Sequence, residues 1–270
     1  MLHTKKYLRV VLPFICMSIL FSNVQAGLEF HGTPAGKKKL VISLAGAGVY
    51  KNYFISSITP PFNASISEAK KDDQITDIAK NFLDPTTMAI TGFPAFSSAT
   101  PDWNLDDTWW TPKPSDLANY IKSAVSQMQS NPKIVLIGKS MGACKLFKTA
   151  EALNSLGITI DLLILVDASC YIAYHDNDLL TTPNNVKNVI NLRQDNHTKG
   201  QCGYAVRSDI RGQDILVNKY NTDLSTTMCA ADVNHESIDE CQGLLDFINR
   251  IVKAELAGFQ LGPIINQLLE

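Results

Sequence analysis

The sequence predicts an α/β protein with a mostly parallel central sheet and helices on both faces. Two observations support this prediction. Short runs rich in Val, Ile and Leu recur along the chain and are apolar at consecutive positions, as parallel strands covered on both faces must be. Between these runs lie segments with apolar residues at helical spacing, and strands that alternate with helices indicate a parallel sheet.

Five apolar runs are predicted as strands. They are rich in Val, Ile and Leu, which suit a sheet that is buried on both faces. The predicted strands span residues 40–48, 86–93, 133–138, 161–167 and 188–194. Residues 214–221, DILVNKYN, are a candidate for one further strand.

Two helices are predicted between the strands, at residues 116–129 and 143–157. In the second helix the apolar residues form one stripe, and Gly157 suits its C-terminal end. Three charged residues of this helix are expected to face away from the stripe; they are Lys145, Lys148 and Glu151.

A long final helix is predicted near the C-terminus. Residues 237–240 read Ser-Ile-Asp-Glu, which is the S-x-x-E pattern of a capping box. Apolar residues follow at helical spacing as far as Val252. His235 is therefore expected in a loop just ahead of this helix.

The first 26 residues are interpreted as a signal peptide. A short basic segment precedes an apolar stretch of about a dozen residues, and residues 24–26, Val-Gln-Ala, resemble a small-residue cleavage site. The alternative is an uncleaved anchor, which is disfavoured because a membrane span needs roughly 20 apolar residues. We therefore expect a secreted or periplasmic protein whose residues 27–270 form a single domain without a membrane span.

The overall charge argues against nucleic acid as a partner. Lys and Arg number 24 and Asp and Glu number 26, so the formal net charge is only -2. A chain so nearly neutral lacks the basic footprint that binding to phosphates requires.

Five cysteines lie outside the predicted signal peptide, and in an oxidising compartment some should be paired. Cys144 falls on the apolar side of its helix and is expected to be a small buried residue rather than a bridge partner. No CxxC or HxxxH spacing indicates a metal site. The remaining four could form two disulfides in three connectivities, which stay open; they are Cys170, Cys202, Cys229 and Cys241.

The stretch KIVLIGKSMGACKLFK, residues 133–148, joins a predicted strand to a predicted helix. Its GKS invites a phosphate-loop interpretation, but that motif needs a glycine where this sequence has Lys133. The same stretch contains GxSxG from Gly138 to Gly142, around Ser140. A serine on a sharp strand-to-helix turn is strained and presents its hydroxyl, and small flanking residues avoid collisions. Ser140 is therefore predicted to be a nucleophile.

This elbow resembles that of the α/β-hydrolase superfamily of lipases, esterases and thioesterases. The resemblance implies a serine, an acid and a histidine in that chain order, each after a strand of the sheet. The order excludes His31, which precedes Ser140, and disfavours His175 and His197, which follow earlier strands. His235 follows the last candidate strand and precedes the last helix, so it is the implied general base.

The resemblance leaves two candidates for the acid. Asp167 ends the strand directly after the elbow unit, as in lipases of the pancreatic kind, whereas Asp195 ends the following strand, as in most members. An acid that holds the histidine tautomer should be buried. This favours Asp167, because Asp195 sits in a polar loop; Asp195 is kept as the alternative acid.

The resemblance also implies an oxyanion hole made of two backbone amides. One is that of Met141, the residue after the nucleophile, and the other comes from the loop after the first predicted strand. In this loop, LAGAGVY, the candidates are Ala47 and Gly48, although the family's HG or HGGG form is absent. The loop does not complete the dinucleotide pattern G-x-G-x-x-G, because Lys51 takes the last position.

Residues 92–114 are a cap-like segment that contains all three tryptophans of the chain. Because the segment follows a strand end, it is expected to hang over the same sheet edge as Ser140. Its rings either line an apolar acyl pocket or pack on one another, and the sequence favours neither interpretation.

These features together predict a secreted serine hydrolase of the carboxylesterase, lipase or thioesterase kind. The expected substrate is a small-molecule or lipid-like ester or thioester with an apolar acyl portion, and no metal or organic cofactor is expected. Two alternatives stay open: an acyltransferase that uses the same three residues, and a non-catalytic binding protein on the same fold.

Overall fold

A computed structural model of the chain describes residues 28–44, 74–92, 95–96, 110–111, 113–168, 182–194, 213–216, 228–235 and 237–269. In this part of the chain, seven strands form one sheet; they are β1 (Leu28–His31), β2 (Lys39–Leu44), β3 (Thr87–Gly92), β6 (Lys133–Lys139), β7 (Ile160–Val166), β8 (Val186–Arg193) and β9 (Gln213–Leu216). Their order in the sheet is β1-β3-β2-β6-β7-β8-β9. β1 is antiparallel to β3, and the other neighbouring strands are parallel.

Two short strands, β4 (Ala95–Phe96) and β5 (Trp110–Thr111), pair antiparallel in a second sheet within the predicted cap-like segment. The helices include one short element, α1 (Gln74–Asp77), which continues as the 3-10 helix Ile78–Phe82. A 3-10 turn at Ile238–Glu240 precedes the last two helices. The longer helices are α2 (Pro114–Val125), α3 (Ser140–Ser155), α4 (Gln242–Ala257) and α5 (Leu261–Leu269).

The sheet separates two apolar cores. On one face, strand residues such as Leu40 and Leu136 pack with α2 and α3. On the other face, the alternating residues Val41 and Val135 pack with α1, α4 and α5. Since successive strand residues point to opposite faces, a strand in the middle of this sheet must be buried at every position, as β7 is. The predicted α/β fold with helices on both faces is confirmed.

The predicted elements agree with the observed ones to within a few residues. The first predicted strand is described only as far as Leu44, and the candidate strand at 214–221 is present as β9, with the residues after Leu216 outside the described ranges. Helix α3 begins at Ser140, three residues earlier than predicted, so the nucleophile candidate is the first residue of the helix. It ends as predicted, with Gly157 in the left-handed conformation at φ 70°.

The start of α4 differs from the predicted capping box. Residues 238–240 form a 3-10 turn, and Ser237 makes no side-chain cap. The helix begins at Gln242 with Cys241 as its N-cap, where the Cys241 sulfur accepts a hydrogen bond from the Leu244 N–H at 3.4 Å. The reason is local competition: the Ser237 hydroxyl accepts instead from the Asn234 N–H at 3.2 Å, so it is not available to the helix.

Lys145, which is predicted to face away from the apolar stripe, is a buried residue. Lys145 is only 2% exposed, whereas Lys148 and Glu151 lie near the surface and form an ion pair at 3.0 Å. All residues from 142 to 147 are buried, so the first turns of α3 are covered around their whole circumference rather than along one stripe. An amphipathic pattern cannot report such burial, because it assumes one solvated face.

The cysteines are partly as predicted. Cys229 and Cys241 form a disulfide, so one of the predicted bridges is present. Cys144 is buried as expected, but it is also disulfide-bonded, so the prediction that it forms no bridge is wrong. Cys170 and Cys202 lie outside the described residues.

Candidate active site

Ser140 lies at the sharp junction between β6 and α3. Its φ is 52°, in the left-handed region that non-glycine residues rarely occupy. Lys139, directly before it, is extended, so the chain turns from strand to helix within one residue. A Cβ on Gly138 would lie 2.5 Å from the Ala143 Cα, which is a clash with helix backbone. Gly138 is therefore needed for the close packing of this turn, as the sequence predicts.

The hydroxyl of Ser140 is in hydrogen-bond contact with His235. Ser140 Oγ and His235 Nε2 are 2.7 Å apart, although the residues are 95 positions apart in the chain. Both residues are buried, with His235 8% exposed. His235 lies in the loop between β9 and the 3-10 turn Ile238–Glu240, which is the position predicted for it.

Asp167 completes the contact on the other side of the imidazole. Its Oδ2 lies 2.6 Å from His235 Nδ1, and its side chain is fully buried. Nδ1 therefore donates to the carboxylate, which leaves Nε2 as the acceptor that faces Ser140. Asp167 directly follows β7 and has a φ of 42°, so two of the three residues in this array hold left-handed backbone conformations.

A buried amide supports the carboxylate of Asp167. Gln194, which follows β8, is 3% exposed and donates from Nε2 to Asp167 Oδ2 at 3.2 Å. The Asp167 backbone N–H donates to the Leu192 carbonyl at 2.6 Å, which ties the end of β7 to β8. No motif in the sequence singles out Gln194. Its position at a strand end, next to the candidate Asp195, is the one signal that points to it.

The loop that carries His235 is held by its own residues. Asn234 and Ser237 exchange two side-chain to backbone hydrogen bonds, at 3.2 and 3.3 Å, across His235. The Cys229–Cys241 disulfide closes the segment over a separation of 12 residues. Together these bonds give the loop a defined shape around the imidazole.

A buried ion pair joins the same two segments of the chain as the serine–histidine contact. The Lys139 ammonium donates to an Asp239 carboxylate oxygen, and both side chains are almost fully buried. Lys139 is the lysine of the GKS sequence that a phosphate loop would use to bind phosphate, and here its ammonium binds the buried Asp239 carboxylate. The sequence does not predict this pair, because its members are 100 residues apart.

Several predicted site residues lie outside the described part of the chain. These are the alternative acid Asp195 and the oxyanion-hole candidates Ala47 and Gly48. For Met141, the backbone is described and belongs to the first turn of α3, where the N–H groups of a helix have no acceptor within the helix. The predicted signal peptide and the tryptophans at 103 and 109 are also outside the described ranges.

The excluded histidine His31 is part of a different contact. It lies on β1, and its Nε2 is 2.9 Å from the hydroxyl oxygen of Thr91 on β3. Burial lowers its pKa, and the nearby Lys80 charge lowers it further. His175 and His197 lie outside the described residues.

In the described part of the chain, no helix is long and apolar enough to span a bilayer. Within the same ranges, no group of three or more His, Cys, Asp and Glu side chains is placed to hold a metal ion.

The strand order and the elbow define an α/β-hydrolase fold. One antiparallel strand precedes a parallel sheet, the central strand β6 leads into the elbow, and Ser140, Asp167 and His235 follow β6, β7 and β9 in the chain order typical of that fold. Parallel strands end at the same edge of a sheet, which brings residues far apart in sequence together there.

No family model and no curated protein matches the chain. Solved structures with a similar fold include a protein of unknown function from Agrobacterium tumefaciens that is described as a candidate α/β hydrolase. It has 13% sequence identity and a TM-score of 0.47, and the match covers 87% of this chain and 92% of the other. An α/β-hydrolase superfamily protein from Enterococcus faecalis has 8% identity and a TM-score of 0.46, covering 85% and 94%. Acyl-protein thioesterase 2 from Zea mays has 11% identity and a TM-score of 0.38, covering 85% and 98%. The assignment of the fold rests on the strand order and the elbow.

Proposed function

We propose that the protein is a serine hydrolase that cleaves ester or thioester bonds through an acyl-enzyme. The observation that carries the proposal is the continuous hydrogen-bonded array from Ser140 Oγ through the His235 imidazole to the Asp167 carboxylate, at 2.7 and 2.6 Å. A nucleophile, a base within hydrogen-bond reach and a group that orients the base are the parts that this chemistry requires.

In the first half of the reaction, His235 Nε2 takes the proton of Ser140 as Oγ attacks the carbonyl carbon of the substrate. Asp167 holds the imidazole through Nδ1 and stabilises the imidazolium that forms. The tetrahedral intermediate then collapses, the bond to the alcohol or thiol breaks, and His235 returns its proton to this leaving group. The acyl group remains on Ser140.

In the second half, water replaces the leaving group. His235 Nε2 accepts a proton from water as its oxygen attacks the acyl carbonyl carbon, and the collapse of the second intermediate releases the acid. The proton on Nε2 goes to Ser140 Oγ as the acyl bond breaks. The enzyme returns to its starting protonation state.

Negative charge on the carbonyl oxygen needs donors during both steps. The Met141 N–H in the first turn of α3 is one proposed donor, and the positive end of the helix dipole adds to its effect. The second proposed donor comes from residues 46–49, with Ala47 and Gly48 as candidates.

An apolar acyl portion is proposed for the substrate. The support is the aromatic composition of residues 92–114, a segment that follows β3 directly at the end of the sheet where Ser140 lies. The β4–β5 pair belongs to this segment.

Secretion or a periplasmic location is proposed from the first 26 residues. The Cys229–Cys241 disulfide and the bonded Cys144 support this, because disulfides persist in oxidising compartments.

The proposal is tested with a panel of nitrophenyl esters of increasing acyl length and with a fluorophosphonate probe. The wild type should hydrolyse at least one ester and take up the probe on Ser140. Ser140→Ala should lose the labelling and reduce turnover by about 10⁴-fold or more, because one triad member removed disables the whole unit. Ser126→Ala, which changes an exposed serine after α2, is the matched control and should behave as wild type.

Two results would overturn the proposal. Equal, background-level rates in the wild type and in Ser140→Ala would favour the non-catalytic binding protein. Labelling that survives Ser140→Ala would assign the nucleophile to another residue.

A further inference from the structure

The Lys139–Asp239 ion pair joins the two segments that carry the nucleophile and the base. Lys139 directly precedes Ser140, and Asp239 lies in the 3-10 turn four positions after His235. Their side chains are 5% and 2% exposed, so the pair is enclosed by protein. It therefore connects the same two pieces of backbone as the Ser140–His235 contact does.

Some bonds of this region act within the loop. The Cys229–Cys241 disulfide and the Asn234–Ser237 hydrogen bonds fix the shape of the segment that carries His235. The Lys139–Asp239 pair, in contrast, connects that segment to the elbow. A loop of fixed shape presents its imidazole correctly only if it is also held at the correct place.

A buried ion pair is well suited to hold a position but adds little net stability. Moving two charges out of water costs about as much as their attraction returns, so apolar side chains of similar size are often as stabilising. Displacing one partner, however, leaves an uncompensated charge in a low-dielectric interior, which is strongly unfavourable. The pair therefore resists displacement of the loop from the elbow.

We propose that Lys139 and Asp239 are positioning residues whose ion pair holds His235 at hydrogen-bond distance from Ser140. The consequence for turnover rests on the proposed hydrolase function. The effect on the His235 imidazole does not, and it is measured separately.

The test replaces the pair by apolar side chains. The variants are Lys139→Met, the double variant Lys139→Met/Asp239→Val, and the conservative variant Lys139→Arg. Lys133→Met is the matched control, because Lys133 lies at the opposite end of the same strand and pairs with the buried Glu255 at 2.6 Å. Each protein is measured for kcat, KM, fluorophosphonate labelling rate, urea unfolding midpoint and the NMR resonance of the His235 Nδ1 proton.

The double variant separates positioning from stability. We expect its unfolding midpoint to lie near that of the wild type, while kcat falls about 10- to 100-fold with little change in KM, as for a displaced catalytic group. The His235 Nδ1 proton should shift or broaden. Lys139→Arg should recover part of the kcat lost in Lys139→Met, and Lys133→Met should lose stability and keep its kcat.

Wild-type kcat and an unchanged His235 resonance in the double variant would overturn the proposal and leave the pair a purely structural contact. If the double variant does not fold, Asp239→Asn decides, because it keeps the size of the side chain and removes the charge that pairs with Lys139. An unchanged kcat and resonance in Asp239→Asn would equally overturn the proposal. If the wild type neither turns over esters nor takes up the probe, the hydrolase function fails, and the His235 resonance still decides the positioning role.

Discussion

Ser140 and Asp167 have unusual backbone conformations for their residue types. Their φ values, 52° and 42°, lie in a region that costs non-glycine residues of order 1–3 kcal/mol each. Both follow parallel strands of the same sheet, and both direct their side chains to His235. Unfavourable backbone conformations at two residues of one hydrogen-bonded array indicate that the packing around Ser140 and Asp167 holds both residues in place.

At the residue scale, Asp167→Asn is expected to reduce kcat by about 10⁴-fold, because the amide would favour the wrong tautomer of the imidazole. Asp195→Asn should have a far smaller effect. The measurement is ester turnover of both variants beside the wild type, with circular dichroism to confirm that each is folded. A larger loss in Asp195→Asn would reverse the assignment of the acid.

Gln194 and Lys145 show the limit of prediction for single residues. A polar side chain at the end of a strand gives no sign of whether it faces solvent or, as Gln194 does, a buried carboxylate. Lys145 is expected from the helix pattern to face away from the apolar stripe, and the pattern gives no sign that its side chain is only 2% exposed.

At the scale of elements, the segment from Cys229 to Cys241 behaves as a closed loop with His235 near its middle. Its disulfide also caps α4, since the Cys241 sulfur accepts the Leu244 N–H. Covalent closure and helix capping thus coincide at one residue. The two effects require separate variants.

Cys229→Ala/Cys241→Ser removes the disulfide but keeps an N-cap side chain. We expect it to lower the free energy of unfolding by about 3 kcal/mol, because a loop of this size is no longer constrained in the unfolded chain. Urea unfolding under non-reducing conditions measures this. Cys229→Ala/Cys241→Ala should lose about 1 kcal/mol more, through the lost cap. Unfolding midpoints equal to that of the wild type would contradict a stabilising role for the bridge.

Most strands and helices were predictable from the sequence, because buried strands appear as continuous apolar runs and helices as apolar residues at helical spacing. The start of α4 was not. Ser237 and Glu240 satisfy the capping pattern, but Asn234 competes for the serine and the disulfide fixes Cys241 at the helix end. The capping motif depends on Ser237 being free to accept from the helix, and here the Asn234–Ser237 hydrogen bond and the Cys229–Cys241 disulfide place the helix start at Gln242 instead.

At the scale of the molecule, the core between the sheet and α2 contains Tyr120, whose ring lies 4.8 Å from that of Phe30. Burial raises the pKa of the Tyr120 phenol to about 12. In the unfolded chain the phenol titrates near pH 10. Between these values the folded protein holds a proton that the unfolded chain has lost, so this residue contributes stability below pH 10 that is lost as the pH rises toward 12.

Tyr120→Phe should therefore flatten the alkaline limb of the stability profile. We expect the free energy of unfolding of the wild type to fall more steeply than that of Tyr120→Phe above pH 10, by up to about 2 kcal/mol. Urea unfolding at several pH values from 9 to 11.5 makes the comparison. Parallel profiles for the two proteins would show that Tyr120 titrates alike in both states.

The sequence alone was enough to predict the layered α/β architecture, the elbow at Ser140 and the candidate residues Asp167 and His235. These inferences depend on local periodicity, on a turn of a few residues and on chain order. Only the tertiary structure decided that the three side chains meet, that Gln194 supports the carboxylate, and that Lys139 pairs with Asp239. The physical reason is that these contacts join residues from 27 to 100 positions apart, and which side chains meet depends on the strand order and on the packing around them.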